Sequence, residues 1–184
     1  MRGITIFKRR SDSKYDLVKL LHFLKLGYGR VNFLLAKVTS KTEVMNAKLS
    51  RYEGTDGGKA LIKELESLQL LARSLARMSA ILEVLITRVE TVALLGPTVR
   101  DLALIKNVVQ ELKKYSFNIP ELSIIIEDID DKVNDLMHES RGSFNESNVN
   151  VVITEDVRKV INEAELIAES KMRELEKRSN PIKA

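Results

Sequence analysis

Hydrophobic residues in the first part of the chain recur with the period of a long amphipathic helix. Between residues 17 and 52 they step alternately by four and three positions, and Thr42 is the only polar member of the series. Such a heptad seam lies along one side of a helix, and a helix of about 38 residues is roughly 57 Å long. So long a helix needs a long partner. The seam comprises Leu17, Leu21, Leu24, Tyr28, Val31, Leu35, Val38, Thr42, Met45, Leu49 and Tyr52.

A second seam of the same period follows a short glycine-rich segment. Residues 53–58 read Glu-Gly-Thr-Asp-Gly-Gly, and glycine adopts the positive φ angles that a chain reversal requires. Two long helices joined by such a turn form an antiparallel hairpin. The pattern therefore predicts an all-α fold built on a hairpin over residues 13–95. The second seam comprises Leu61, Leu65, Leu68, Ala72, Leu75, Ser79, Leu82, Ile86, Val89 and Ala93.

Two glycines, Gly27 and Gly29, interrupt the first predicted helix. Each costs around 1 kcal/mol of helix stability relative to alanine. They are either tolerated weak points, or they mark a place where another helix approaches closely or where the first helix bends. The sequence leaves both interpretations open.

Shorter helices are predicted after the hairpin. Gly96-Pro97 ends the second seam, and we expect a boundary or hinge there because proline fits the first turn of a helix but disrupts its interior. Apolar spacing predicts helices over residues 98–117 and 121–140, which complete a helical core over residues 13–140. Residues 141–152, rich in Ser and Asn, indicate a linker. A C-terminal helix is predicted over residues 153–179, with Thr154 as its N-cap.

Composition narrows the class of protein. The chain contains no cysteine, which excludes disulfides, thiolate zinc sites and cysteine nucleophiles. No segment approaches the roughly 18 uncharged apolar residues of a membrane-spanning helix, and the N-terminus lacks the apolar stretch of a signal peptide. We therefore expect a protein that is soluble or is held at a membrane surface.

Charge is distributed unevenly along the chain. Residues 1–59 contain 13 Lys and Arg against 5 Asp and Glu, a net charge of +8, whereas residues 121–140 contain one Lys against 7 acids, a net charge of −6. A basic front and an acidic rear attract each other, within one molecule or between neighbours, and the basic part can also bind phosphate on lipid or nucleic acid. The acids placed opposite the apolar seam of the fourth helix are Glu127, Asp128, Asp130, Asp131 and Asp135.

The N-terminal segment, residues 1–12, combines apolar and basic side chains. Its apolar residues can insert at a lipid headgroup boundary while the adjacent cations hold anionic lipid. The alternative is a frayed terminus with chance charges. The predicted membrane-binding residues are Arg2, Ile4, Ile6, Phe7, Lys8, Arg9, Arg10, Lys14, Lys19 and Lys25.

The sequence predicts neither a catalytic site nor a bound cofactor or metal. Residues 54–60 differ from a phosphate-binding loop, because the glycine spacing is one residue short and Ala60 stands where a hydroxyl would hold magnesium. His22 and His138 are far apart in the sequence, and neither has a second ligand at metal spacing. We expect a protein that is not an enzyme.

The order of these features resembles the ESCRT-III family, and specifically its archaeal cell-division branch, the Cdv proteins. A basic hairpin, shorter helices ending in an acidic one, a linker and a small C-terminal helix occupy about residues 1–178. The end of the second helix, from Arg88 through Glu90-Thr91 to Leu95-Gly96, is similar to that branch. Residues 160–172 resemble the C-terminal helix of its smaller paralogues, which lack the winged-helix tail.

The resemblance implies a mechanism. In the closed form of the family the acidic helix folds on the basic hairpin, so the acids named above would form an autoinhibitory face. Opening, with Gly96 and Pro97 as the hinge, would give an extended form. Open copies polymerise, alone or with paralogues, on anionic membrane at the cytoplasmic face, and constrict necks in cell division, budding or vesicle release. The sequence does not decide between the closed and the open extended form.

The resemblance also implies that an AAA-type ATPase grips the C-terminal helix. The nearest alignment places Glu165, Ala168, Lys171, Met172 and Leu175 at the docking positions. Lysine replaces the family's arginine, and alanine and methionine replace leucines. These departures argue against direct recruitment of the ATPase and favour a subunit that joins a polymer begun by others.

Two other functions remain open at the level of sequence. The first is a coiled-coil adaptor with no membrane role, which would keep its partners when Ile4, Ile6 and Phe7 are changed to serine. The second is a scaffold that binds nucleic acid through the basic hairpin. No base-reading motif occurs, so its binding would lack sequence preference and would fall steeply with salt.

Overall fold

The computed structural model describes the backbone of residues 4–49, 51–52, 54–116, 119–140 and 150–179, and the side chains of residues 15–49, 51–52, 54–116, 119–139 and 154–175. All regular structure in these ranges is α-helical, and the long hairpin is followed by shorter helices, which confirms the predicted fold class. The helices are α1 (Ile4–Leu49), α2 (Asp56–Leu95), α3 (Val99–Ser116), α4 (Pro120–Ser140) and α5 (Asn150–Ser179).

The two heptad seams meet in the hairpin. α1 has 46 residues and α2 has 40, and they pack along their lengths. Leu24 and Val31 of the first seam and Leu82 and Val89 of the second are fully buried. The last member of the first seam, Tyr52, is 50% exposed because α1 ends at Leu49, before the seam does.

A hydroxyl and two glycines form the turn of the hairpin. Thr55 is the N-cap of α2: its Oγ1 accepts a hydrogen bond from the N–H of Gly58 at 3.1 Å and donates to the carbonyl of Tyr52 at 2.8 Å. Gly54 has a φ of +81°, and a Cβ at Gly58 would lie 2.4 Å from the Tyr52 oxygen. Glycine at both positions is therefore a steric requirement of this turn.

α2 lies at the centre of the molecule. α1, α3 and α5 all pack against it, so its middle part is buried on nearly every side. The heptad spacing predicted only one buried face. The additional buried residues are Ala76, Met78, Ala80, Ile81, Val84, Leu85 and Val92.

α4 folds back on the N-terminal half of α1. A Cβ at Gly27 would lie 3.2 Å from Cγ2 of Ile125 and 3.6 Å from Cδ1 of Ile129, whereas nothing lies within 4 Å of a Cβ at Gly29. Gly27 is therefore a site of close helix approach, and Gly29 is not. Leu122, Ile126, Ile129, Val133 and Leu136 form the buried seam of α4.

α5 packs against α2 and α3 through Val160, Ala164 and Ala168. It begins at Asn150, so the predicted N-cap is wrong: Thr154 lies inside the helix. The predicted linker overlaps this first turn, and its residues 141–149 lie outside the described residues. We call this arrangement, with α4 on α1 and α5 on α2, closed.

Candidate functional site

The outward face of α1 carries a row of cations. Several are paired with acids of neighbouring helices: Lys25 with Glu90 at 2.9 Å, Arg30 with Glu121 at 2.5 Å, and Lys41 with Glu64 at 2.8 Å. Lys19 pairs with Asp16 on its own helix. Lys37 and Lys48 of α1, and Arg51 in the turn just after it, are exposed and form no ion pair with any described residue.

Exposed apolar side chains lie among these cations. Their spacing places them on one face of α1, away from the buried seam, over about 44 Å. The Lys19 ammonium lies 4.2 Å from the ring centre of Tyr15, and the Arg30 guanidinium lies 5.0 Å from that of Phe33. The sequence reasoning followed only the buried seam and missed this second stripe, which the same spacing would have revealed. The exposed apolar residues are Tyr15, Val18, Leu26, Phe33 and Val44.

The predicted membrane-binding residues are only partly described. Residues 4–14 are helical and continue into the hairpin as part of α1, so no backbone break separates the N-terminal segment from the core. Arg2, and the side chains of Ile4, Ile6, Phe7, Lys8, Arg9, Arg10 and Lys14, lie outside the described residues. Lys19 and Lys25 lie on α1 as described above.

The predicted hinge is a helix boundary. α2 ends at Leu95, and Gly96, with a φ of +96°, donates a backbone hydrogen bond to the carbonyl of Val92 at 2.8 Å. After Pro97, Thr98 and Asp101 exchange side-chain and backbone hydrogen bonds at the start of α3 in a capping box. Leu94 and Leu95 beside the boundary are 85% and 81% exposed.

The predicted acidic face of α4 is divided between two environments. Glu127, Asp128, Asp131 and Asp135 are exposed, and Asp135 pairs with Lys132 of the same helix at 2.8 Å. Asp130 does not share this face: it is buried against α3. The prediction that Asp130 lies on the acidic face of α4 is therefore wrong.

Asp130 is held by three side chains of α3. Its carboxylate accepts hydrogen bonds from Lys106, from Gln110 at 2.9 Å and from Lys113 at 2.6 Å. Burial alone would raise the pKa of Asp130, but the bonds from the two ammonium groups outweigh it and bring that pKa below its ordinary value of 3.8. This carboxylate ties α4 to α3.

The residues aligned with ATPase-docking positions lie on or beside the face of α5 that contacts the hairpin. The Lys171 ammonium donates to Glu83 at 2.6 Å and to Ser79 Oγ at 3.1 Å, and lies 5.3 Å from the ring centre of Tyr28. Ala168 is buried, and Met172 and Leu175 pack against the core. Glu165 lies 3.8 Å from Arg77. A protein that gripped these residues would have to detach α5 first.

Ser79 joins this contact to α1. It is the only polar member of the second seam, it is fully buried, and its hydroxyl donates to Asn32 Oδ1 at 2.7 Å. The side chains of α1, α2 and α5 thus form one hydrogen-bonded network. A second contact holds α5 to α3, where Arg100 and Asp156 pair at 2.5 Å. The hydrogen bond from Arg100 lowers the pKa of Asp156.

The described part of the chain contains no arrangement of side chains typical of a metal site or a phosphate-binding loop. No group of three or more His, Asp or Glu side chains there is arranged to hold a metal ion. His22 and His138 are both exposed, and residues 54–60 form the hairpin turn and the start of α2. Among the described helices, none is apolar over a length sufficient to cross a bilayer.

Comparison with known proteins identifies a relative. The chain is 23% identical over 175 residues to Cell division protein B1 of Sulfolobus acidocaldarius, an alignment that covers 93% of this chain and 82% of that protein. No protein-family profile matches the chain. No solved structure matches it either. The similarity confirms the resemblance to the archaeal Cdv branch of ESCRT-III.

Proposed function

We propose that this protein acts in cell division by assembling into filaments on anionic membrane, where the polymer constricts a membrane neck. The observation that carries the proposal is the similarity to a cell division protein across 93% of the chain. The outward face of α1 supports the membrane part. The closed arrangement of α4 and α5 supports a subunit that opens before it assembles.

The outward face of α1 has the composition of a helix that lies in a membrane interface. Aromatic and aliphatic side chains alternate with cations, as in helices that bury one face at the headgroup boundary. Each cation near an anionic surface contributes about 1 kcal/mol of attraction. Tyr15 and Phe33, each with a cation over its ring, suit the boundary between headgroups and acyl chains.

Opening would separate the outer helices from the hairpin. α5 would leave when Lys171 releases Glu83, and α4 would leave when its seam lifts from Gly27. The backbone of Gly96 would then change from its positive φ to a helical conformation, so that α2 and α3 could align as one longer helix. An AAA-type ATPase that binds α5 would meet its docking residues only after this release.

Vesicle co-sedimentation with negative-stain imaging of the same sample tests the proposal. The protein is mixed with vesicles of phosphatidylserine and phosphatidylcholine, and with pure phosphatidylcholine vesicles as the control. We expect it to sediment with the anionic vesicles alone, as filaments or coated tubules, with or without a paralogue present. Binding to neither vesicle, with or without a paralogue, would refute the proposal and favour an adaptor. Salt-sensitive binding to DNA instead would favour a nucleic-acid scaffold.

A further inference from the structure

A cavity with arginines on both walls lies between α2 and α5. Its volume is about 310 Å³, at the lower end of the roughly 300–1,000 Å³ of small-molecule sites. Arg73 and Arg77 line it from α2, where their spacing of four residues places them on one face of the helix. Arg173 lines it from α5. Three guanidinium groups from two helices therefore border the same cavity.

The arginines of this cavity keep unused hydrogen-bond donors. Arg73 is exposed and forms no hydrogen bond or ion pair with any described residue. Arg77 lies 3.8 Å from Glu165, and Arg173 lies 3.2 Å from Glu169. A guanidinium group has five N–H donors, so a single carboxylate leaves most of them available. The cavity can therefore bind a further acceptor group.

The charge of the lining favours a phosphate of modest charge. The planar fork of a guanidinium group binds phosphate through two parallel hydrogen bonds. Arg73 is the natural anchor, because no carboxylate competes for it. Glu165 and Glu169 also line the cavity, so three cations face two acids there. These acids repel a long polyphosphate, whereas one phosphate group can bind at Arg73.

The remaining lining of the cavity is apolar. Ala168 is buried, and Met172 is partly buried against the hydrophobic core. The methionine thioether makes favourable contacts with aromatic rings, and guanidinium groups stack on aromatic faces. Alanine leaves room above it for a flat group. This part of the cavity suits an uncharged aromatic body rather than a second anion.

We propose that the cavity binds a small molecule that combines a phosphate monoester with a flat aromatic body, the chemistry of a nucleoside monophosphate. Because its walls come from two helices, the bound molecule ties α5 to α2. It covers Ala168 and Met172, which align with ATPase-docking positions. The binding site is independent of the proposed function, and only an effect on opening and assembly rests on that function.

Calorimetry with three probes at constant ionic strength tests the ligand class. The probes are adenosine monophosphate, adenosine, which lacks the phosphate, and glycerol 3-phosphate, which carries the phosphate of a lipid headgroup without an aromatic body. We expect adenosine monophosphate to bind with a Kd below about 1 mM and each of the other probes to bind about tenfold more weakly or less well.

A charge-matched pair of variants tests the location. The cavity variant carries Arg73→Gln, Arg77→Gln and Arg173→Gln. The control variant removes three cations at exposed positions elsewhere, with Lys63→Gln, Lys114→Gln and Arg158→Gln. Circular dichroism melts check that both fold. The cavity variant should bind adenosine monophosphate more than tenfold more weakly than wild type, because hydrogen bonds to charged groups are lost, and the control should bind it as wild type does.

Hydrogen exchange tests whether the ligand ties α5 to α2. A molecule that binds only while α5 is in place slows exchange through detachment by one plus the ratio of its free concentration to Kd. At ten times Kd, the amides of α5 should therefore exchange about elevenfold more slowly in wild type and in the control variant. The cavity variant at the same concentration should show less protection.

Four results would overturn the site. They are no binding of adenosine monophosphate at 1 mM, equal affinity for glycerol 3-phosphate, wild-type affinity in the cavity variant, and unchanged exchange of α5 when the ligand is bound. All four are measured without lipid, so they leave the membrane function untouched. Failure of the free protein to bind anionic vesicles would refute the membrane function and leave the cavity standing.

Discussion

Leucine at Gly27 should loosen α4, whereas leucine two residues away at Gly29 should strengthen α1. Both changes gain about 0.8 kcal/mol of helix propensity over glycine. At Gly27 a Cβ would already lie 3.2 Å from Ile125, 3.6 Å from Ile129 and 3.8 Å from Leu82, so the rest of the leucine has no room. Such overpacking costs about 1–3 kcal/mol.

The two variants carry the same substitution at different positions, so the gain in helix propensity cancels when their Tm values are compared. For a chain of this size 1 kcal/mol shifts Tm by about 2–4 °C, so Gly27→Leu should melt between about 2 and 12 °C below Gly29→Leu. Hydrogen exchange should be faster in the amides of α4 in Gly27→Leu and unchanged in Gly29→Leu. The packing of α4 on α1 is refuted if Gly27→Leu melts at or above Gly29→Leu with α4 still protected.

Three further changes follow from the described contacts. Asp130→Asn should lower the free energy of unfolding, measured in urea, by about 1–3 kcal/mol. The control Asp131→Asn, at an exposed position, should lower it by less than about 0.5 kcal/mol, and equal effects of the two changes would contradict the burial of Asp130. Because the folded-state pKa of Asp130 lies below 3.8, its stabilisation is complete above about pH 4 and is lost as pH falls through that lower pKa, so Asp130→Asn should flatten the acid limb of the stability profile. Lys171→Met should speed hydrogen exchange in α5 and not in α4; an unchanged α5 would show that this lysine does not hold it. Gly58→Ala should lower Tm by several degrees because the new Cβ would lie 2.4 Å from the Tyr52 carbonyl oxygen. Gly57→Ala should leave Tm unchanged because the nearest atom to its Cβ would be 3.7 Å away. Equal Tm values for the two variants would contradict the turn geometry.

The hairpin could be predicted from the sequence because its determinants are local and periodic. Each seam repeats over many turns, and the glycine-rich turn lies between them with a hydroxyl ready to cap α2. Gly96-Pro97 marks the end of α2 for an equally local reason, since proline disrupts a continuing helix and glycine accepts the positive φ that follows Leu95.

Contacts between helices could not be predicted in the same way. Asp130 was placed with its acidic neighbours on α4, and only the packing of α3 beside it reveals that Lys106 and Lys113 meet its carboxylate. Lys171 was read as a docking residue from its position in α5, yet it reaches α2. One signal was present: Ser79, a polar residue in an otherwise apolar seam, indicated a buried hydrogen-bonded contact that needed a partner from elsewhere.

The outer helices are attached to the hairpin with unequal strength. α4 buries five large aliphatic side chains and adds the Asp130 contact to α3, whereas among the described side chains of α5, those of residues 154–175, one valine and two alanines are buried and larger apolar side chains such as Ile161 and Leu175 are only partly buried. Since stabilisation scales with the apolar area removed from water, we expect α5 to detach at the lower cost in free energy. Lys171, bound to Glu83 and Ser79, is then one of the polar contacts that hold α5, together with the Arg100–Asp156 pair. Under the proposed function, release of these contacts would expose the residues of α5 that align with ATPase-docking positions while α3 and α4 remain on the hairpin, so that access to α5 can precede the larger opening proposed at Gly96.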